Sequence, residues 1–404
     1  MEVQTVPEVT PSGHRVVLSR TAVAGVAACF LLMGALAAAY GPLLEHLARR
    51  FDISLPVASE VFSAHFAGAL VGVVVAMWTV ERASGRRTVW AGLGCLGLGC
   101  AGVALASSWP AFLAGVFVVG IGFGGLDLGL NQLVAHSEGP RRSALLNALN
   151  GAYGFGAVAG PILISRLGEQ HLAVLYGGAT VLAIALLPAA AGISGWLPVK
   201  PRKGAGRPAS PRSGEVTPGS HSEPRGGRVL LGIFLVAYIF YVGTETGVGG
   251  WMTSHLESVG LRSLDAASLT SGFWLATALG RLLAALIPDR VPPSVVVITG
   301  SAIASVALLV ALSGRAAPIA YVVTGFAIAP IFPTGIAWLA KLRPGDSRST
   351  SWLFPASMVG GVVIPGAIGI AIAWLGIGLA PAILALAAIS TLAAFSLAGL
   401  KGRE

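Results

Sequence analysis

Apolar residues dominate this chain in long runs that short polar segments separate. A helix that rises about 1.5 Å per residue crosses a hydrocarbon core of about 30 Å with roughly 20 apolar residues. Twelve runs approach or exceed that length. The pattern therefore predicts twelve membrane-spanning helices, at residues 17–44, 56–80, 88–106, 110–134, 144–165, 172–193, 229–252, 266–287, 294–312, 318–340, 350–373 and 376–398.

The longest internal polar segment lies between the sixth and seventh runs, at residues 194–228. It is basic and rich in Pro, Gly and Ser, and it has too few apolar side chains to form a core. We therefore expect a flexible cytoplasmic linker between a six-helix bundle at 16–193 and a second one at 229–398. Residues 1–15 and 399–404 would be cytoplasmic tails. The predicted fold is an all-α membrane protein of two pseudo-symmetric bundles.

Composition excludes a soluble protein. Hydrophobic residues make up 55% of the chain and charged residues only 11%, whereas soluble domains carry about 25% charged residues. The net charge of +9 does not indicate a nucleic-acid partner, because 21 of the 26 Lys and Arg residues fall in the tails, in alternate loops or, for Arg20 and Arg281, within the runs that adjoin these segments. By the positive-inside rule these segments are cytoplasmic, and both termini are then inside.

An ionisable residue interrupts the fourth apolar run. Gly120, Gly124, Asp127 and Asn131 follow one another at intervals of 4, 3 and 4 residues, so they share one helix face. An Asp at mid-helix costs about 2.5–3.5 kcal/mol on insertion scales and by default marks a pathway or a proton site. We predict proton coupling at Asp127. A structural ion pair with a basic residue such as Arg142 is the alternative.

A second intramembrane acid, Glu245, lies in the seventh run. Tyr238 and Tyr241 precede it at intervals of 3 and 4 residues, so two hydroxyls and a carboxylate share a face. We predict that Glu245 also takes part in proton coupling. The alternative is a carboxylate that only hydrogen-bonds a neighbouring helix.

Polar and aromatic residues in three predicted helices form the candidate substrate site. Amides and hydroxyls can pair with the hydroxyl groups of a sugar, and an indole ring can stack on a sugar ring. Each residue could instead bridge helices or fill the core. The predicted substrate-binding residues are Asn131, Asn147, Asn150, Tyr153, Tyr238, Tyr241, Trp274 and Thr277.

Three further residues favour structural interpretations. Arg281, near the end of its run, is more typical of an anchor or an inter-helix ion pair than of a substrate ligand. His65 is more typical of a packing histidine than of a proton relay. Trp251 fits the aromatic belt at the membrane interface.

The chain resembles the major facilitator superfamily, whose members have two six-helix halves. The segment Glu81-Arg82-Ala-Ser-Gly-Arg86-Arg87 is similar to the basic loop of that superfamily, with one residue inserted. The resemblance implies a conformational latch at Glu81, Arg82, Arg86 and Arg87, and the alternative is a role in topology alone. The segment 156–161, Gly-Ala-Val-Ala-Gly-Pro, resembles the fifth-helix Gly-Pro motif.

Four segments resemble the fucose permease–like branch, whose members are sugar:proton symporters. They are residues 125–131, 241–251, 271–281 and 325–334. This resemblance implies an acid in the first span as well as one matched by Asp127. Here Ala38 occupies the first of these positions, and no acid occurs between residues 9 and 44.

Together these features predict a secondary active transporter for a small polar solute, most plausibly a sugar, coupled to protons by alternating access. We expect a multi-pass monomer in the lipid bilayer of a cytoplasmic membrane, from a bacterium, without a cofactor or a nucleic-acid partner. Proton-driven efflux of drugs or metabolites is the main alternative, and a non-transporting solute sensor or scaffold is another. An enzyme is not expected, since the fingerprint-like Gly120-x-Gly122-x-x-Gly125 lies inside an apolar run rather than after a strand.

Overall fold

The computed structural model describes residues 17–79, 85–135, 142–167, 171–194, 225–284, 286–287, 290–343 and 346–401. Within these residues the regular secondary structure is helical except for one antiparallel ladder of two residues per strand. The predicted tails and most of the predicted linker lie outside the described residues. The ladder was not predicted; it joins β1 (Val17–Leu18) to β2 (Ile193–Ser194) and so ties the two ends of the first bundle together.

The first bundle, named here the N-half, spans residues 17–194 and contains seven α-helices. A 3-10 turn at Leu187–Gly192 extends the last of them. The helices are α1 (Arg20–Phe51), α2 (Leu55–Ala58), α3 (Glu60–Thr79), α4 (Gly85–Leu105), α5 (Trp109–Ala135), α6 (Arg142–Leu167) and α7 (Leu172–Leu186).

The second bundle, named the C-half, spans residues 225–401. A 3-10 turn at Ile377–Leu379 precedes its last helix. Its helices are α8 (Arg225–Ser258), α9 (Ser263–Ala284), α10 (Pro293–Ala311), α11 (Ala317–Ile328), α12 (Ile331–Leu342), α13 (Ser347–Ser351), α14 (Leu353–Leu375) and α15 (Ala380–Lys401).

Eleven helical segments of the described chain are long and apolar enough to span a membrane. They correspond to eleven of the twelve predicted spans. The remaining one, α9, forms a 22-residue helix as predicted, but Asp265, Arg281 and several Ser and Thr residues lower its hydropathy. The sequence prediction of a helical polytopic protein is therefore confirmed, and the count of twelve spans is not.

Helices α1 and α8 extend beyond their apolar runs. Ser19 caps the first turn of α1 by accepting a hydrogen bond from the backbone N–H of Ala22 at 3.1 Å. The helix ends only where Asp52 takes a left-handed conformation with φ of 51°. Predictions from hydropathy ended these helices at residues 44 and 252, because the polar residues of the final turns no longer count as apolar.

The glycines of α5 allow close backbone packing inside the N-half. A Cβ atom on Gly120 would lie 2.0 Å from the carbonyl oxygen of His65 in α3, and one on Gly122 would lie 2.4 Å from the backbone N of Leu96 in α4. In lipid the hydrophobic effect does not drive helices together, so the van der Waals packing at such contacts stabilises their association. The fingerprint-like glycines therefore act in packing. Farther along α5, Asp127 lies on the face that Gly120 shares.

The two halves touch along several helix pairs, and glycines again permit the approach. A Cβ on Gly41 of α1 would lie 2.3 Å from the carbonyl oxygen of Gly249 in α8. The ring of Phe62 in α3 covers Gly250, where a Cβ would lie 2.7 Å from the ring. These contacts lie toward the end of the bundle at which α1 and α8 finish, named here the Phe51 end.

Contacts between α3 and α14 continue this interface. The hydroxyl of Ser63 donates to the carbonyl oxygen of Val362 at 3.2 Å, and the ring of Phe66 packs on Gly361. On the opposite side of the molecule, α6 meets α9. The halves are therefore closed against each other at the Phe51 end.

Replacing Gly41 with Ala tests whether this closure depends on backbone contact. We expect the halves to separate at the Phe51 end, because the new methyl group would overlap the backbone of Gly249, which cannot yield as a side chain can. Spin labels at Ser107 and Arg315, in exposed loops of the two halves at this end, should move apart in double electron–electron resonance. The background would have its three native cysteines replaced by alanine.

The matched control is Gly232→Ala in α8, where nothing lies within 4 Å of the new Cβ. It should leave the distance distribution unchanged. An unchanged distribution in Gly41→Ala as well would contradict the assignment of Gly41 to the closed interface.

Candidate functional site

A buried ion pair joins α8 and α9 in the C-half. The Nη2 atom of Arg281 lies 2.7 Å from Oε1 of Glu245, and the two side chains are 20% and 10% exposed. The hydroxyl of Tyr241 donates to Oε2 of the same carboxylate at 3.1 Å. Both oxygens of Glu245 are thus engaged, and Arg281 forms the inter-helix pair that its sequence position indicated.

Hydrogen bonds in the middle of α9 hold this helix in register with its neighbours. The hydroxyls of Thr253 in α8 and Thr270 in α9 lie 2.7 Å apart. The hydroxyl of Thr277 lies 3.0 Å from the carbonyl oxygen of Phe273 and 3.2 Å from that of Gly325 in α11. Arg281 follows Thr277 by one turn, so these bonds set the height at which its guanidinium meets Glu245.

A second polar network lies in the N-half. The Nδ2 atom of Asn131 donates to Oδ1 of Asp127 at 3.0 Å and to the backbone carbonyl of Asp127 at 2.8 Å. Asn150 of α6 donates in turn to Oδ1 of Asn131 at 3.2 Å. Asp127 is partly exposed. Hydrogen bonds therefore connect the Asp127 carboxylate through two Asn side chains from α5 to α6.

The two networks are close enough to interact across the halves. Arg281 acts electrostatically on Asp127, and the partly exposed Tyr153 of α6 lies within the fields of Asp127, Glu245 and Arg281. Gly154, next to Tyr153, packs on Ala278 of α9, where a Cβ would lie 2.6 Å from that side chain. The α6–α9 contact thus brings both networks to one site, named here the central cluster.

The central cluster carries two carboxylates and one guanidinium. Glu245 compensates Arg281 directly, so Asp127 is left as the second negative charge. With both acids ionised, the net charge is −1. One proton on Asp127 would make the cluster neutral.

The sequence model of the Major Facilitator Superfamily matches residues 26–317, which include helices of both halves. That match covers well over half of the chain. The chain belongs to the Major Facilitator Superfamily. Proteins of this superfamily are membrane transporters, so the chain is a transporter and not an enzyme.

Two curated relatives align with most of this transporter. The sodium-dependent glucose transporter 1A of Mus musculus is 24% identical over 85% of this chain and 88% of its own length. The gentisate transporter of Corynebacterium glutamicum is 24% identical over 83% of this chain and 77% of its own length. Among solved structures, the fucose:proton symporter of E. coli superimposes with a TM-score of 0.62 at 17% identity, covering 93% of this chain and 98% of that one.

Several predicted substrate residues of this transporter do not join the central cluster. The hydroxyl of Tyr238 is buried and donates to the carbonyl oxygen of Phe332 at 2.6 Å. The hydroxyl of Thr277 donates to the carbonyl oxygen of Gly325 in α11. The ring of Trp274 is 5% exposed and packs against Gly249. Asn147 lies in α6, but its side chain falls outside the described part of the chain.

The predicted latch is described only in part. Glu81 and Arg82 lie outside the described residues. Arg86 and Arg87 are exposed in the first turn of α4, and the guanidinium of Arg86 lies 5.1 Å from the ring centroid of Trp90. The latch role of this segment stays a prediction.

Two residues outside the cluster have clear structural environments. His65 is fully buried and lies 3.1 Å from the hydroxyl of Tyr40 through Nδ1, in keeping with a packing histidine. The prediction for Trp251 is wrong. Its ring is fully buried rather than at the membrane interface, and its indole N–H donates to the carbonyl oxygen of Pro365 at 3.1 Å. Periodicity could not reveal that α14 covers this side of α8.

A groove of about 300 Å³ lies between α1, α6 and α7. Its lining is almost entirely apolar, and it contains none of the residues of the central cluster. Leu31, Leu163 and Leu182 in its wall are 41–44% exposed on the outside of the N-half. The groove is therefore separate from the central cluster.

Arg281 is the residue whose role the sequence understated. It was interpreted as an anchor or an inter-helix ion pair near a helix end; it forms such a pair, and it also lies at the centre of the cluster. The available signal was its position as the only basic residue in the long apolar run 266–287, seven residues after Trp274 on the same helix face. In the described part of the chain, no group of three or more His, Cys, Asp or Glu residues could hold a metal ion.

Removing one partner of the Arg281–Glu245 pair should destabilise the transporter. Glu245→Leu leaves a guanidinium without its bonded carboxylate, and breaking a buried pair in this way costs about 3–5 kcal/mol. We expect a lower melting temperature for Glu245→Leu in detergent and a substantial recovery in Glu245→Leu/Arg281→Met. The exposed pair Arg262–Asp265, with N–O distance 2.8 Å, supplies the control: Asp265→Leu should change the melting temperature little. Equal effects at the two pairs would contradict a buried, mutually dependent pair.

Proposed function

We propose that this transporter moves a small neutral solute with several hydroxyl groups, a sugar, together with protons by alternating access. The observation that carries the proposal concerns Asp127, an acid between the halves: its carboxylate accepts a hydrogen bond from the amide of Asn131 and has no bonded cation among the described contacts. The glucose relative and the likeness to the fucose:proton symporter support a sugar and a proton as the transported pair.

Asp127 is the proton carrier in this proposal. A buried environment disfavours the charged form of a carboxylate unless a cation is bonded to it. Glu245 has such a partner in Arg281, whereas Asp127 has Asn131 as its direct partner and Arg281 only at longer range. Protonation of Asp127 therefore removes the uncompensated charge. We assign the role of counter-ion for Arg281 to Glu245, although the sequence suggested coupling at both acids.

The central cluster favours a proton over a sodium ion. Sodium would need several oxygen ligands around Asp127, whereas the group bonded to this carboxylate is the Nδ2 donor of Asn131. A proton is bound covalently to a single oxygen and needs no coordination shell. The name of the mouse relative makes sodium the specific alternative to test.

The same charge balance favours a sugar over an organic acid. An anion would meet a cluster whose guanidinium is already compensated and whose remaining charge is negative. Asn131, Asn150 and Tyr153 offer donors and acceptors that suit neutral hydroxyl groups. The gentisate relative makes an aromatic acid the competing solute.

The proposed topology has twelve spans, with α9 as the eighth, and both termini in the cytoplasm. The positive-inside rule then places the Phe51 end outside. In that orientation the closed outer contacts correspond to an inward-facing state. We place the transporter as a monomer in the cytoplasmic membrane.

Transport in proteoliposomes tests the coupling. A gradient of one pH unit stores about 1.4 kcal/mol per proton and so supports roughly tenfold accumulation. We expect the wild type to accumulate glucose or a related sugar under this gradient. Asp127→Asn should lose accumulation but keep counterflow, since an amide cannot release a proton. Asp265→Asn at the surface should behave like the wild type.

Three other results would point elsewhere. Accumulation driven by sodium without a pH gradient would replace the proton with sodium. Outward flux in everted vesicles would indicate efflux, and binding without counterflow would indicate a sensor. Undiminished accumulation in Asp127→Asn would contradict the assignment of proton coupling to Asp127.

A further inference from the structure

Two acidic residues face each other across the closed Phe51 end. On α1, Glu45 follows Gly41 by four residues; on α8, Glu257 follows Gly250 by seven. Both intervals keep residues on the same helix face. Gly41 and Gly250 belong to the faces on which the halves meet, since a Cβ on Gly41 would lie 3.1 Å from the carbonyl oxygen of Gly250.

On these facing helices the carboxyl groups of Glu45 and Glu257 are neighbours that act on each other electrostatically. A carboxylate only accepts hydrogen bonds, so a hydrogen bond between the two groups requires one of them to carry a proton. With that proton, the pair would consist of one carboxylic acid and one carboxylate bonded across the interface. Without that proton, two like charges would face each other at the same place.

The surrounding charges do not neutralise the pair. Arg49, one turn along α1, lies 3.6 Å from Oε2 of Glu45, but the two side chains are 58% and 44% exposed, so solvent screens their attraction. Other ionisable groups lie at this end: His46 follows Glu45 on α1 and is itself engaged, Asp52 caps the end of α1, and three more have partners elsewhere. Glu60 in α3 accepts from Trp109, Arg50 donates to the carbonyl oxygen of Ala106, and His255 in α8 bonds Tyr321.

We propose that Glu45 and Glu257 form an external proton latch: the Phe51 end closes when this pair takes up one proton from the outer solution and opens when it loses that proton. The proton is separate from the one on Asp127 and does not cross the membrane. The proposal rests on the topology proposed above, which places the Phe51 end outside. The latch makes closure after solute binding easier at acidic external pH.

The direction of the pH effect on closure follows from the difference in proton binding between the closed and open states. The shared proton is bound in the closed state and less tightly bound when the halves separate. Protons therefore favour closure, and raising the pH favours opening. Because the pair is partly exposed, it equilibrates with bulk solution on its own side of the membrane.

Spin labels at Ser107 and Arg315 measure the opening and closing of the Phe51 end directly in the purified protein, without a transport assay. For the latch with its native acids, we expect the ratio of closed to open populations to fall by about tenfold or more between pH 5.5 and 8.5. Glu257→Gln should remain closed at both pH values, because an amide donates to Glu45 without needing a proton. Glu60→Gln, at the same end but bonded to Trp109, should keep the pH response.

Repeating the measurement in Asp127→Asn separates the latch from the coupling site. We expect the pH response to persist there. The proposal is overturned if Glu257→Gln keeps the full pH response, or if Asp127→Asn abolishes it. The label distances do not depend on solute flux. A negative result for the latch therefore leaves sugar–proton symport untouched, and a negative transport result leaves the latch untouched.

Discussion

A guanidinium inside a membrane protein requires a compensating charge, and this requirement organises the centre of the transporter. Arg281 meets it through Glu245, with Tyr241 occupying the second carboxylate oxygen. Once that pair forms, Asp127 is left without a bonded cation, and its charge can be relieved by a proton. The separate roles of the two acids thus follow from one ion pair.

Close backbone packing places this pair beside the N-half. Lipid offers no hydrophobic drive for helices to associate, so small residues at the contacts supply the packing energy. Gly154 on α6 lets Tyr153 approach α9, and Gly41 and Gly250 let the Phe51 end close. At these contacts a glycine of one half meets backbone or a side chain of the other, so the two bundles can part and rejoin without unpacking their cores.

The structure combines a closed Phe51 end with a partly exposed Asp127 deeper in the molecule. This combination is one conformation of the transporter. Asp127 is partly exposed, while the contact between Gly41 and Gly249 closes the Phe51 end. If the latch at Glu45 and Glu257 operates, protonation acts twice in the cycle. It sets the net charge of the central cluster, and it sets the readiness of the outer end to close.

The sequence by itself determined the class of protein, the two-half organisation and the positions of both acids. Apolar runs of spanning length and isolated charges within them have few physical interpretations, because lipid penalises every unpaired polar group. Periodicity also assigned residues to faces, which is a local property of a helix. Only the tertiary structure decided which neighbour each face meets. Tyr238 and Thr277 share faces with the site residues but turn to α12 and α11, and Trp251 is covered by α14. The pairing of Arg281 with Glu245 spans 36 residues between two helices, and no local pattern encodes the rotation that brings them together.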